Sequence, residues 1–188
     1  MCGRFTLMTE EEYQDLADII REVEENLGGE AVKAGDIYPT NPAPVLYARK
    51  GKRLADLFVW GFPNYYQKGV IINARAETAA EKPTFRRCLG NRCVIPAAGF
   101  YEWDGEKRKH LFHMNGRGIY MAGLYDLFGG EPHFVILTTA ANPSVAPVHP
   151  RMPVVLTPEG VDRWIAAGSK ALEILTAVPP PLQCAMIT

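Results

Sequence analysis

Arg92-Cys93-Val94-Ile95-Pro96-Ala97-Ala98-Gly99-Phe100-Tyr101-Glu102-Trp103 is the stretch on which the fold turns. Arg92–Ala97 is apolar and β-branched and Phe100–Trp103 is aromatic, so the segment predicts two strands separated by turn residues. Short runs of the same kind follow at Leu111–Met114, Gly118–Leu127, His133–Thr139 and Met152–Leu156. Their spacing predicts a mostly antiparallel or mixed sheet. Upstream, Leu54–Trp60 reads as a strand that leaves through a turn at Gly61-Phe62-Pro63-Asn64, and proline-rich Ile37–Ala48 reads as extended chain.

Helical signals are few. Thr9 and Glu12 form a capping-box pattern, after which Tyr13, Leu16, Ala17, Ile20, Val23 and Leu27 keep helical spacing until Gly28-Gly29. Ala74–Ala80 permits a short helix, and Pro83 allows another turn from Thr84 to Leu89. Thr157-Pro158-Glu159 is a helix start, with Gly168 its expected end. Pro179-Pro180-Pro181 stiffens the connection into a last strand, Gln183–Ile187. The chain of 188 residues, 47% hydrophobic and 22% charged, is expected to form one α+β domain over residues 1–188, wrapped around a curled sheet.

Composition removes several function classes. The sequence holds no apolar run of about 18 residues, so no membrane span is expected. Its start lacks a basic segment followed by an apolar one, which predicts no secretory signal and a cytoplasmic location. Cys2, Cys88, Cys93 and Cys184 do not form a disulfide framework, and no second pair completes a zinc site around Cys88 and Cys93. His110 and His113 fall in a strand-like stretch that puts their rings on opposite faces. No metal and no cofactor are expected. The net charge is −1, but acidic residues crowd into Glu10–Glu30 while Arg75, Arg86, Arg87, Arg92, Lys107, Arg108, Lys109 and Arg151 lie beyond, which permits a local basic groove.

Met1-Cys2-Gly3-Arg4-Phe5 carries the chemistry. Removal of the initiator methionine would leave Cys2 with a thiol and a free α-amine on adjacent carbons, ordinarily titrating near roughly 8.5 and roughly 7.7–8.0. A 1,2-aminothiol condenses with an aldehyde to an imine and then to a thiazolidine. The same pair also suits amide hydrolysis, with the thiol as nucleophile and the amine as its base.

Four further stretches complete a set: Asn73-Ala74-Arg75-Ala76-Glu77, Gly99-Phe100-Tyr101-Glu102-Trp103, Leu137-Thr138-Thr139-Ala140-Ala141-Asn142, and Val148-His149-Pro150-Arg151-Met152-Pro153. Together with Met1–Phe5, and with Tyr38-Pro39-Thr40 ahead of the first strand, they resemble the SRAP family of SOS response-associated, abasic-site-binding proteins over essentially the whole chain. The resemblance implies that Cys2 forms a thiazolidine cross-link with the ring-opened aldehyde of an abasic deoxyribose. It assigns Glu102 as the acid that opens the sugar, its carboxyl raised by an apolar setting. His149 would move the remaining proton, Asn73 would orient the Cys2 backbone and the sugar, and Thr138 would add a hydroxyl hydrogen bond.

Arg4, Arg75 and Arg151 would hold phosphates in two-point fashion. Trp103 and the aromatic turn after Trp60 would stack on bases. The implied partner is single-stranded DNA containing abasic sites, bound by a monomer that is nucleoid-associated when on DNA. Against the family's W-G-L-I-P-x-W turn, Trp60-Gly61-Phe62-Pro63-Asn64-Tyr65 is one residue shorter and ends in tyrosine, which stacks on less area. Two other functions fit the same residues: a thiol peptidase acting on its own Met1–Cys2 bond, and a non-catalytic binder of modified nucleic acid.

Overall fold

Strand Arg92–Ala97 is buried at every residue, and its side chains divide between two cores. Cys93, Ile95 and Ala97 join one apolar cluster and Val94 the other. A strand buried on both faces reads as a continuous apolar run. In a computed structural model that describes residues 2–8, 13–29, 32–166 and 168–187, this strand sits in the middle of the fold.

The elements in chain order are β1 (Phe5–Leu7), α1 (Gln14–Leu27), β2 (Gly35–Ile37), β3 (Pro42–Arg49), β4 (Lys52–Trp60), β5 (Phe62–Pro63), β6 (Val70–Ile71), β7 (Asn73–Arg75), α2 (Pro83–Arg86), β8 (Arg92–Ala97), β9 (Gly99–Trp103), β10 (Lys109–His113), β11 (Ile119–Phe128), β12 (Glu131–Ala140), β13 (Arg151–Pro153), β14 (Val155–Leu156), α3 (Pro158–Ile165), a 3₁₀ helix (Ser169–Thr176) and β15 (Gln183–Ile187). The larger sheet runs β13-β12-β4-β3-β8-β11-β14, and an added β11–β12 pairing closes it on itself through β12, β4, β3, β8 and β11. Closure removes unpaired edges from these strands. The expected α+β fold on a curled, partly barrel-like, mixed sheet is the fold found. Its parallel component comes from β4 and β7, each parallel to β12.

A second sheet, ordered β15-β10-β9-β1-β2, lies on the first. Its pairings set Phe5 opposite Phe100, Phe100 opposite Phe112 and Phe112 opposite Cys184. The three phenylalanines are fully buried in the cluster that also holds Trp60, Ile95 and Phe134. Alternation along β9 and β10 then puts Glu102 and His110 on that same inner face, with Tyr101, Trp103, Lys109 and His113 on the other. The second core packs Ile19 and Val23 of α1 and Trp164 and Ile165 of α3 against the barrel's outside. Among the described residues, no helix is long and apolar enough to cross a membrane.

Helix α1 follows the expected spacing, burying Leu16, Ile19, Ile20 and Val23, although Leu27 is exposed. Gly28 ends it at a φ of +77°, a conformation costly for residues with a Cβ. The capping box at Thr9–Glu12 lies outside the described residues. Thr157 caps α3 by accepting from the Gly160 N–H at 3.2 Å.

Two expectations are corrected. Helix α3 ends at Ile165, before Gly168, and the segment after Gly168 forms the 3₁₀ helix. Buried Arg92 donates to the carbonyls of Trp164 and Ala166, satisfying the acceptors that a longer helix would have bonded itself. Ala74–Ala80 is not helical: it begins in β7 and continues as turns. Its backbone groups are taken by β12, with Ala74 opposite Leu137 and the Ala76 N–H on the Thr138 carbonyl at 2.9 Å. Ladder bonds outweigh a few tenths of a kcal/mol of helix propensity per residue.

Candidate active site

Cys2 stands just ahead of β1, and β1 threads between β9 and β2. The ladder extends past the strand end, because the Tyr101 N–H donates to the Arg4 carbonyl at 2.9 Å. This pairing fixes Cys2 beside the strand that carries Glu102. The Cys2 side chain is fully buried, and its Sγ donates to the Arg4 carbonyl at 3.7 Å. Asn73 reaches it from β7, donating from Nδ2 to the Cys2 carbonyl at 2.9 Å. Asn73 Oδ1 is buried and has no hydrogen-bond partner among the described residues.

Glu102 projects from β9 into the interior and is 3% exposed. His149 reaches it from the loop after β12, with Nδ1 4.0 Å from Glu102 Oε1. That loop is a folded turn, held by the His149 N–H on the Val145 carbonyl at 3.1 Å. His149 Nδ1 lies 3.0 Å from the Arg151 carbonyl and 3.1 Å from the Arg151 N–H, so the backbone of Arg151 holds the ring in either tautomer. Thr138 on β12 is fully buried, its hydroxyl 3.5 Å from the Ala74 carbonyl.

The surroundings act on both reactive groups in one direction. Burial pushes the Cys2 thiol far up, and the nearby Glu102 charge adds to that, so the resting group is a neutral thiol. Burial also pushes the Glu102 carboxyl up, opposed by adjacent positive charge that includes His149. Such a carboxyl keeps its proton to higher pH, as a general acid needs.

The cationic residues divide into two places. Arg151 holds Glu77 in a two-point pair at 2.6 and 2.9 Å and donates to the Thr138 carbonyl at 2.7 Å. That pairing keeps the Glu77 carboxyl below its ordinary range. Arg75 is exposed on β7. Arg4 lies with Trp103 on the outer face of the smaller sheet. Its guanidinium sits 4.5 Å from the Tyr38 ring centroid and 5.2 Å from that of Trp103, with Asp36 at 3.6 Å. Lys109 shares Asp36 at 3.6 Å and covers the Tyr101 ring at 3.8 Å.

The structure thus brings Cys2, Asn73, Glu102 and His149 together, with Thr138 and Arg151 adjoining. It sets Arg4 and Trp103 apart on the outer face. Glu77 and Asp36 carry no role in the sequence reading, and Lys109 enters it only as one basic residue of a possible groove. Glu77 closes the Asn73–Glu77 motif and was legible there; Asp36 has no local signal, and nothing local pairs Lys109 with it. Trp60 belongs to the core, fully buried with its Nε1 on the Ile72 carbonyl at 3.0 Å. The exposed rings of the turn after it are Tyr65 and Tyr66, 80% and 95% accessible.

An α+β barrel with a second sheet, an amino-terminal thiol and an Asn–Glu–His cluster around it define a class of protein. The chain belongs to that class as a member of the SOS response associated peptidase (SRAP) family, whose model matches residues 1–187. It is 35% identical over 188 residues to the abasic site processing protein YoqW of Bacillus subtilis, covering 88% of this chain and 80% of that one. It is 30% identical over 190 residues to the abasic site processing protein YedK of Escherichia coli, covering 93% and 85%. A crystal structure of a protein from Bacteroides thetaiotaomicron has the same fold, with a TM-score of 0.79 at 21% identity over 100% of this chain and 92% of that one.

Proposed function

We propose that this protein senses abasic sites in single-stranded DNA and shields them through a covalent thiazolidine at Cys2, formed once Met1 has been removed. The observation that carries the reading is the Asn73 amide on the Cys2 carbonyl beside the Glu102–His149 pair. Once Met1 is removed, an aminothiol at this position would face an acid and a proton carrier.

Glu102 gives a proton to open the abasic deoxyribose to its aldehyde. The Cys2 α-amine adds to the aldehyde carbon, and the carbinolamine loses water to leave an imine. The thiol then adds across the C=N bond, sulfur to carbon and proton to nitrogen, closing the five-membered ring. Aldehyde and aminothiol give thiazolidine and one water. A thiol that burial keeps protonated suits this order, because the amine acts first and the sulfur arrives with its proton. His149 carries protons between Glu102 and the sugar oxygen. Arg4, Arg75 and Arg151 bind flanking phosphates, and Trp103 stacks on a neighbouring base.

Asn73 is turned toward the Cys2 carbonyl. This supports positioning of the aminothiol over hydrolysis of the Met1–Cys2 bond, whose scissile carbonyl belongs to Met1. The test is the intact mass of processed protein after incubation with a single-stranded abasic oligonucleotide. A one-to-one adduct that survives denaturation is expected from the parent and is absent from Cys2→Ala, which retains an α-amine for a transient imine only. Equal, stable cross-linking by Cys2→Ala overturns the proposal.

A further inference from the structure

Cys184 lies on β15, the edge strand of the smaller sheet, and is exposed. Its Sγ is 3.6 Å from His110 Nδ1 on the neighbouring β10. The other ring nitrogen, His110 Nε2, is 3.0 Å from Asp104 Oδ2 in the turn before β10. Asp104 is itself held in place: Oδ1 accepts the Glu106 and Arg108 N–H groups at 2.9 and 3.0 Å, and Oδ2 accepts Arg108 Nε at 2.7 Å. These bonds, the His110 contact foremost, keep its carboxyl far below the usual range. A fixed carboxylate on Nε2 sets the tautomer with hydrogen on that nitrogen, and the Nδ1 lone pair then faces the thiol.

This is the order nucleophile, base, orienting carboxylate. The two nitrogens of one ring point to opposite partners, so the three groups do not converge on a metal ion. A thiol that is exposed and beside a base suits a small reagent that arrives from solution. We propose that Cys184 is a second reactive thiol of this chain, an acceptor for small disulfides, with His110 as its base and Asp104 as the positioning residue.

In the exchange, His110 Nδ1 takes the Cys184 proton as sulfur attacks one sulfur of the disulfide. The Cys184–S bond forms, the S–S bond breaks, and the leaving thiolate receives the proton from His110. The products are one mixed disulfide and one small thiol. Burial raises the Cys184 thiol somewhat, so the proton leaves during attack rather than before it. The other titratable groups nearby are Glu102 on β9, opposite His110 in register, and Asp104, Glu106 and Arg108 in the turn. On β15, Cys184 is the titratable side chain.

Oxidised glutathione in excess, followed by peptide mapping, reads the site, and the rate across pH 5–9 reads the base. One adduct at Cys184 is expected, absent from Cys184→Ser. The parent rate should level off through neutral pH. In His110→Gln it should fall about tenfold or more at pH 7 and climb with pH toward the thiol's own ionisation. Should His110→Gln fail to fold, Asp104→Asn, which keeps an oxygen for the turn N–H groups, should show the same change of profile. First adduct formation at another cysteine, or a parental rate and pH profile in the folded variants, overturns the proposal.

Discussion

The Asn73 amide and the Cys2 carbonyl meet at 2.9 Å across 71 positions of sequence. The bond spans two sheets, because Cys2 precedes a strand of the smaller sheet and Asn73 starts a strand of the larger. Asn73 therefore acts on where the aminothiol stands, and a misplacement of about 1 Å costs on the order of 10²-fold in rate. Asn73→Ala should slow cross-linking by about that factor while single-strand affinity holds. Single-turnover time courses beside an equilibrium titration check it; a parental rate would remove Asn73 from the mechanism.

Glu102→Gln keeps the shape of the site and removes its proton. Cross-linking should slow by about 10²–10⁴. Stability should change in the opposite sense. Because burial raises this carboxyl in the folded state, its favourable contribution is complete below the unfolded pKa and is lost as pH rises through the folded one. Relative to Glu102→Gln, the parent should lose stability as pH rises above the ordinary glutamate range. Urea midpoints of both proteins from pH 4 to 8 measure the difference, and parallel curves would contradict it.

Arg151 is engaged by Glu77 in the two-point geometry that a phosphate would otherwise use. Glu77→Gln should free the guanidinium from its competitor and tighten single-strand binding, while the log–log salt slope keeps the roughly 0.7 that its phosphate contact contributes. Fold stability should move by no more than about 1 kcal/mol, since the pair is partly exposed. Weaker binding would show that the pair presets Arg151 for DNA.

Trp60 and the tyrosines that follow it should separate cleanly. Trp60→Ala removes a fully buried ring that packs 5.1 Å from Phe5, and should cost about 3–5 kcal/mol of stability. Tyr65→Ala and Tyr66→Ala should leave stability within about 0.5 kcal/mol. If either ring stacks on a base, its loss should weaken binding by about 1–3 kcal/mol. Denaturation curves and fluorescence anisotropy on the three variants decide it.

Much of the fold was legible where the cause is local. Gln183–Ile187 is a strand over the residues expected, Gly28 stops α1, and Thr157 with Pro158 starts α3. In each, side-chain period, a cap or a positive φ acts within a few residues. The pattern failed at Ala74–Ala80, where β12 competes for the backbone, and at the end of α3, where Arg92 arrives from a distant strand. Of the candidate site, the residue types were legible as motifs in order along the chain, whereas their distances were not.

By itself the sequence determined the strand-rich α+β class, the thiol at position 2, and the four motifs that supply an amide, a carboxylate, a histidine and arginines. Only the tertiary structure decided which of these meet. It put Glu102 against His149, turned Arg151 to Glu77, moved Arg4 and Trp103 to the outer face, and set Cys184 beside His110. Caps, turns and side-chain alternation are energies of neighbouring residues. Pairing of charges and raising of pKa depend on which strands lie side by side and how much water they exclude, and strand pairing is settled by the whole chain at once.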